Sequence, residues 1–120
     1  MAVPTMEVNL KELNDLIKKL ETVDDETREM VADEMAYTAL QIESDAKKVC
    51  PVKTGRLRAS IRAFISRDPI SAVIGTPVEY AAIVEYGSKA LRRRAKPYLY
   101  PAYFKNIGKL KEKLKNAIGG

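Results

Sequence analysis

Pro51 divides the chain into two parts with different hydrophobic periods. Upstream of it, apolar residues recur at helical spacing at Val31, Met35, Ala39, Ile42, Ala46 and Val49. Proline lacks the amide hydrogen that a helix interior requires, so a helix over about residues 25–49 must end before it. About 25 residues rise about 37 Å, close to the diameter of a domain of 120 residues. We therefore predict a long helix as the spine of a single domain, residues 1–120.

Downstream of Pro51 the hydrophobic period becomes that of a strand. Apolar residues alternate with others at positions 61, 63 and 65, and again at 70, 72 and 74. Between them, Arg67, Asp68 and Pro69 form a turn sequence. The pattern predicts a β-hairpin over residues 61–75, whose isoleucine and alanine face covers the long helix. Two strands alone are marginal in water, so we expect further strands from residues 6–8, from residues 96–100 or from a neighbouring copy.

Three more amphipathic segments complete the predicted fold. Leucines and Ile17 predict a first helix over about residues 10–21, with Asn9 as its cap. A short helix over about residues 78–86 is expected to end at Gly87 in a left-handed conformation. A last helix over about residues 101–118 begins at Pro101 and has one apolar face, formed by Phe104, Ile107, Leu110, Leu114 and Ile118. The fold class is α+β, a long central helix on a small antiparallel sheet, with amphipathic helices at the N-terminal and C-terminal ends.

The composition argues against catalysis. The chain contains no histidine and one cysteine, Cys50, so the usual neutral-pH acid-base group and the commonest metal ligands are lacking. No serine-nucleophile or phosphate-binding glycine motif occurs. We therefore expect a protein that is not an enzyme and that has no metal site and no cofactor. No apolar run approaches the roughly 20 residues of a membrane helix, so we also expect a soluble protein that is made in the cytoplasm.

Charge is distributed unevenly along the chain. Residues 1–45 carry 12 acidic and 4 basic side chains, a net of −8, and residues 46–120 carry 4 acidic and 17 basic ones, a net of +13. Such asymmetry favours a nucleic-acid or acidic partner for the basic part, or a subunit whose two sides attract each other. A solvated surface on each half would explain it equally well. The candidate interface residues are Asp33 and Glu34 on the long helix and Arg92, Arg93 and Arg94 in a predicted loop over residues 88–96.

Three clusters join these elements. In the corner over residues 50–60, Pro51 ends the helix, Gly55 permits a positive φ and Thr54 can cap the turn that holds Leu57. In the second cluster, Tyr80 and Tyr86 offer packing area, and Glu85 is expected to pair with Arg56 or Arg58. In the third, Pro97 and Pro101 hold an extended segment and start the last helix. Each cluster taken singly is typical of a folding device.

In this order the three clusters resemble the tail-component family of long-tailed double-stranded DNA phages and prophages, whose members are described as neck or tail-completion proteins. The resemblance runs from about Ala36 to Phe104, and the arginines at 92–94 have no counterpart in it. Its structural motif residues are Pro51, Thr54, Gly55, Leu57, Ser60, Tyr80, Glu85, Tyr86, Gly87, Pro97, Tyr98, Pro101 and Ala102.

The resemblance implies a virion protein that assembles as a ring, six-fold, at the head-tail junction. It implies contacts with adjacent head-closure, connector or tail-tube proteins and a stay in the host cytoplasm before assembly. A conduit that gripped phosphates would hinder the passage of DNA, so we expect the basic surface to serve mainly protein contacts, with transient contact with genomic DNA secondary. It does not separate a neck protein from a tail terminator.

A closed ring needs two different surfaces on each subunit. We expect the helix face around Asp33 and Glu34 to meet the arginine loop or the lysine-rich last helix of the next subunit.

Two other classes of function remain open at this point. The arginine loop and the last helix could bind the phosphate backbone as a small basic DNA-binding module. No helix-turn-helix, zinc-finger or RNA-recognition signature supports that reading. An adaptor with a peptide-binding sheet edge is supported only by the small size of the predicted sheet.

Overall fold

The computed structural model describes residues 4–51 and 55–118. The helices are α1 (Asn14–Lys18), α2 (Asp25–Val49), α3 (Arg56–Ser60), α4 (Ala81–Tyr86) and α5 (Leu99–Ala117), and the strands are β1 (Met6–Asn9), β2 (Arg62–Arg67) and β3 (Ile70–Thr76). This is the predicted mixture of helix and sheet, in which α2 packs on a small antiparallel sheet and α5 packs on α2.

α2 has the capping residues that its length requires. The Asp24 carboxylate accepts a hydrogen bond from the Thr27 backbone N–H at 2.7 Å, and this bond lowers the pKa of Asp24. Acidic residues in the first turn and basic residues in the last turn complement the helix dipole. The predicted apolar stripe is buried from Val31 to Ala46, but Val49 is exposed. The prediction for Val49 is wrong, because at the end of the helix Cys50 is the buried residue in its place.

The sheet has the strand order β1-β3-β2, with both pairs antiparallel. Val8 lies opposite Ile74, which lies opposite Ala63 on the other side. The predicted third strand at residues 6–8 is confirmed. A strand at residues 96–100 is wrong, because Pro97 has no N–H and the amides of residues 98–100 bind a carboxylate instead.

One face of the sheet covers α2 and the other faces solvent. Ile70, Ala72 and Ile74 are buried as predicted. Phe64 is exposed on the opposite face, as predicted. The prediction that Ile65 lies on the covered face is wrong, since Ile65 is exposed near the turn end of β2, an edge strand. The backbone N–H of Ala63 on this strand donates to the Glu43 carboxylate of α2 at 2.7 Å. Glu43 therefore occupies a donor that an incoming peptide strand would need.

The segment between β1 and α2 is less regular than predicted. It consists of a 3₁₀ turn at Leu10–Leu13, the short α1, and a second 3₁₀ turn at Lys19–Thr22. Asn9 does cap it, since its side-chain oxygen accepts from the Lys11 N–H at 3.0 Å. Leu10 and Leu13 are fully buried, so packing fixes the segment although it is too short to propagate as one helix.

α5 begins two residues before the predicted start. Pro101 is its third residue and Leu99 its first; proline is tolerated there because the first-turn amides have no partner within the helix. Ile107, Leu110 and Leu114 are buried as predicted, while Phe104 is 66% exposed and its neighbour Tyr103 is buried. The prediction for Phe104 is therefore wrong: Tyr103 takes the place on the buried side of α5.

Candidate functional site

The Glu85 carboxylate joins α4 to the start of α5. It is 3% exposed and accepts backbone N–H groups of residues 98, 99 and 100 at 3.2, 2.9 and 3.2 Å. These are donors that the first turn of a helix leaves without partners, and their positive field favours a negative charge. Pro101, the next residue, has no N–H to satisfy. We call this arrangement the latch. The predicted pairing of Glu85 with Arg56 or Arg58 is wrong, since Glu85 binds backbone and Arg56 pairs with Glu79 at 2.8 Å.

Tyr98 adds a second tie between the same elements. Its ring is fully buried, and its hydroxyl donates to the Ala81 carbonyl of α4 at 3.1 Å. Burial, followed by the charge of Glu85, raises the pKa of Tyr98 well above its usual value. The Lys96 N–H donates to the Val84 carbonyl at 2.8 Å. The motif residues Glu85 and Tyr98 are therefore structural partners across 13 positions of sequence.

Gly87 lets the chain leave α4 and form the arginine loop, residues 88–96. Its φ of 78° and ψ of −178° lie in a region that is accessible essentially to glycine alone. The predicted positive φ is present, but the left-handed helical conformation is not, because ψ is extended. A Cβ atom here would lie 2.8 Å from the Ala95 nitrogen and 2.9 Å from the Arg93 carbonyl oxygen. The closeness of the returning chain therefore requires glycine as well.

Backbone hydrogen bonds hold the arginine loop in a defined shape. Ser88 and Arg93 exchange two of them, at 2.9 and 2.8 Å, and the Arg92 N–H donates to the Lys89 carbonyl at 3.1 Å. Arg92 has a φ of 53°, a left-handed conformation that costs a non-glycine residue about 1–2 kcal/mol. All three arginines, Arg92, Arg93 and Arg94, are exposed. The loop presents them on a fixed backbone.

A groove lies between this loop, α4 and the corner, residues 50–60, which includes α3. Its volume is about 590 Å³. The described residues that line it are Pro51, Gly55, Leu57, Tyr80, Ile83, Val84, Leu91, Arg92, Arg93, Arg94 and Lys96. Most of the apolar side chains belong to the corner and to α4 with the preceding Tyr80, while Leu91 and all the cationic side chains belong to the loop. The groove thus combines an apolar floor with a basic rim, which is the usual composition of a protein-binding site.

The corner holds the floor of the groove in place. Gly55 has a φ of 78° as predicted, and the Ser60 hydroxyl bonds the Leu57 carbonyl at 2.7 Å and the Thr76 hydroxyl at 2.6 Å. Leu57 is buried. The motif residue Thr54 lies outside the described residues. Serine at position 60 therefore ties α3 to the end of β3.

The predicted acidic interface residues already have partners within the chain. Arg67 of β2 bridges Glu29 at 2.8 Å and Asp33 at 2.9 Å, and Lys113 of α5 lies 3.3 Å from Glu34. The Arg67 pairs are well exposed. The structure does not bring Asp33 or Glu34 to the arginine loop of the same chain.

Two exposed apolar surfaces were missed from the sequence. On α2, Met30, Tyr37 and Leu40 are 54%, 55% and 52% exposed. On α5, Phe104 lies 5.9 Å from the Tyr100 ring, which lies 6.3 Å from the exposed Tyr86. The first surface had a signal, since positions 26, 30, 33, 37 and 40 repeat at the four-three spacing of a second helix face.

Neither membrane crossing nor metal binding has a candidate within residues 4–51 and 55–118. Their helices are all too short or too polar to span a bilayer. They also hold no group of three or more acidic, cysteine or histidine side chains that could bind an ion.

The comparisons with known proteins concern the first part of this arrangement. A family model described as "Bacteriophage HK97-gp10, putative tail-component" matches residues 14–87. The match covers α2, the corner, the hairpin and α4, and it ends at Gly87, before the arginine loop. No curated protein and no solved structure matches the chain.

Proposed function

The chain belongs to the HK97-gp10-like family of bacteriophage tail components, and from that premise we propose that it is a non-enzymatic subunit of a ring at the head-tail junction. In this role it is a neck or tail-completion protein, present in the host cytoplasm before assembly and in the virion afterwards. Its partners are copies of itself, six in the ring, and the adjacent head-closure, connector or tail-tube proteins. A tail terminator ring is the alternative within the same class.

The observation that carries the proposal is the separation of two oppositely charged surfaces along an elongated molecule. The chain measures 51 × 27 × 22 Å, and its radius of gyration is 15.8 Å, above the roughly 13.6 Å expected for a compact domain of this length. The acidic half of α2 lies on one part of the molecule and the arginine loop on another. A subunit with two different complementary surfaces assembles head to tail, and such contacts close into a ring when the rotation between subunits permits.

Assembly of the purified protein tests the proposal. We expect electron microscopy of concentrated full-length protein at low salt to show closed rings, and native mass spectrometry to give one copy number. Phage particles that lack the protein should have heads and tails that fail to join. Normal, infectious particles without it would contradict the proposal, and joined heads with overlong tails would favour the terminator.

A DNA-binding module is the second candidate, because three arginines are exposed on one ordered loop. Affinity for duplex DNA, measured at 50 and 200 mM salt, separates the two candidates. Submicromolar binding that falls steeply with salt would favour the module. A ring around passing DNA predicts weak binding, since a channel that gripped phosphates would hinder passage.

A further inference from the structure

The exposed face of α2 has the spacing and composition of a docking surface. Its residues Glu26, Met30, Asp33, Tyr37 and Leu40 follow each other by four and three positions, so they lie in one line about 21 Å long. We call this line the seam. Its three large apolar side chains are each more than half exposed. A helix that already buries its opposite side in the core gains nothing in the monomer from a second apolar line.

The charge of the seam restricts what can cover it. Glu26, Glu29 and Asp33 all carry carboxylates along it, and Arg67 shares its single positive charge between the last two. The flank therefore remains negative. A surface that buries Met30, Tyr37 and Leu40 must bring cations to its rim, because desolvating an unpaired carboxylate is costly.

The groove beside the arginine loop has the complementary composition. Its apolar floor includes Ile83 and Val84, and its rim includes Leu91 and three arginines. Leu91 is itself exposed. The apolar line flanked by carboxylates therefore matches, in composition, an apolar floor flanked by guanidinium groups, which are the cations best suited to bind carboxylates at interfaces.

The lysines of α5 are a poorer partner for the seam than the arginine loop. Lys113 already lies 3.3 Å from Glu34 and 5.7 Å from the Tyr37 ring of its own chain. This part of α5 thus borders the seam inside the subunit. The arginine loop lies beyond the C-terminal end of α2, and Tyr37 is 14 positions, or about 21 Å of helix, from Pro51. Only a second copy can bring seam and groove together.

We propose that the seam of one copy binds the groove and arginine loop of the next copy. The inference rests on the proposed function, because it assigns the two surfaces through which ring subunits meet. Arg92, Arg93 and Arg94 form the rim that selects the acidic flank, and Met30, Tyr37 and Leu40 fill the apolar floor.

Site-specific cross-linking tests the contact without requiring a completed ring. In a Cys50→Ser background, copies with Met30→Cys are mixed with copies with Leu91→Cys and treated with a short bismaleimide. We expect a cross-linked dimer of the two copies to form at least about tenfold more efficiently than in the control, in which Lys109→Cys, an exposed position of α5, replaces Met30→Cys.

Charge reversal distinguishes a head-to-tail contact from general attraction. Variant A carries Arg93→Glu and Arg94→Glu, and variant B carries Glu26→Lys and Glu29→Lys. Each alone should assemble about tenfold less well, because its seam and groove then have the same sign. Mixed together, they should assemble nearly as the unchanged protein does, since each seam finds a groove of opposite charge in the other variant. Circular dichroism of each variant is the check that it is folded.

The outcomes separate the inference from the proposed function. Rings of A alone or B alone that equal those of the unchanged protein would overturn the inference and leave the ring intact. Equal cross-linking at Lys109→Cys would overturn it too, and so would capture of the seam by another virion protein in place of a second copy. If variant A lost DNA binding and its assembly were unchanged, the arginines would be shown to bind DNA and not the next copy. If the protein formed no rings and no cross-links at millimolar concentration, both the inference and the proposed function would be overturned.

Discussion

The latch and the seam both contain carboxylate side chains, but these side chains have opposite surroundings and different roles. Glu85 is buried, and three backbone N–H groups bind it. Glu29 and Asp33 are exposed, and only a flexible arginine binds them among the described residues. Removing the buried carboxylate leaves its N–H donors without an acceptor, because water does not reach them. Removing an exposed carboxylate replaces an ion pair by hydration, with little change in the free energy of unfolding. The comparison indicates that the latch stabilises the fold, and that the seam charges remain available for recognition.

Glu85→Ala is expected to have the largest effect on stability. It leaves three amides at the start of α5 without their acceptor, so the free energy of unfolding should fall by about 3–5 kcal/mol. Urea unfolding followed by circular dichroism measures the change. The matched control is Glu79→Ala, which removes an exposed carboxylate paired with Arg56 and should leave the urea midpoint unchanged. Equal losses in both variants would show that burial does not distinguish the two carboxylates.

Gly87→Ala should come next, because the new methyl group meets backbone on two sides. A Cβ atom would lie under 3.0 Å from atoms of Ala95 and Arg93, and we expect a loss of about 2–3 kcal/mol. Gly55→Ala is the control. Gly55 has the same φ of 78°, but no atom of the described residues lies within 4 Å of its Cβ position, so the cost should be the conformational strain alone, about 1–2 kcal/mol. Equal unfolding free energies for the two variants would contradict the close approach of the loop.

The parts of this fold that the sequence predicted are those with local causes. The period of α2, the break at Pro51 and the alternation of the second hairpin strand, β3, depend on neighbouring residues, and all three are present. The latch could not be derived in this way, since Glu85 reaches residues 13 to 15 positions away and nothing in its own helix requires them. Tyr103 and Phe104 show the same limit: both are aromatic and adjacent, and only the position of α2 decides which is buried.

The candidate site was predictable in its charges and unpredictable in its shape. Arg92, Arg93 and Arg94 were expected in a loop and are exposed there. The groove depends on contacts between distant positions: Ser60 binds Thr76 at the end of β3, and Lys96 binds Val84 of α4. Asp33 and Glu34 were expected to face another subunit, and that expectation stays a prediction, because the structure describes one chain in which both have internal partners.

Tyr98→Phe should produce a smaller loss that depends on pH. It removes the hydroxyl that donates to the Ala81 carbonyl, at a cost of about 1–2 kcal/mol. Because the pKa of Tyr98 is raised in the folded chain, folding favours the protonated form. The stability from this group is present below about pH 10, the usual tyrosine pKa, and is lost as pH rises further.

Unfolding free energies measured between pH 8 and 11 test this sign. Tyr98→Phe should lose less stability than the unchanged protein above pH 10, and the difference between them should shrink. Tyr37→Phe is the control, since it removes a tyrosine hydroxyl from an exposed position. A slope unchanged by Tyr98→Phe would mean that its burial does not govern ionisation.

Arg67→Ala should have the smallest effect on stability and an informative effect on assembly. The arginine and its two carboxylate partners are all well exposed, so we expect no measurable shift of the urea midpoint at 150 mM salt. The same change leaves the flank of the seam one charge more negative. If the seam binds the arginine loop of the next copy, cross-linking between Met30→Cys and Leu91→Cys should rise a few fold at low salt and return to its original level at about 0.5 M salt. A fall in cross-linking at low salt would instead show that Arg67 itself contacts the neighbouring copy. The seam would then extend onto the hairpin. The surface that recognises the next copy would in that case consist of the exposed carboxylates together with the basic residue Arg67, and Glu85 would still be structural.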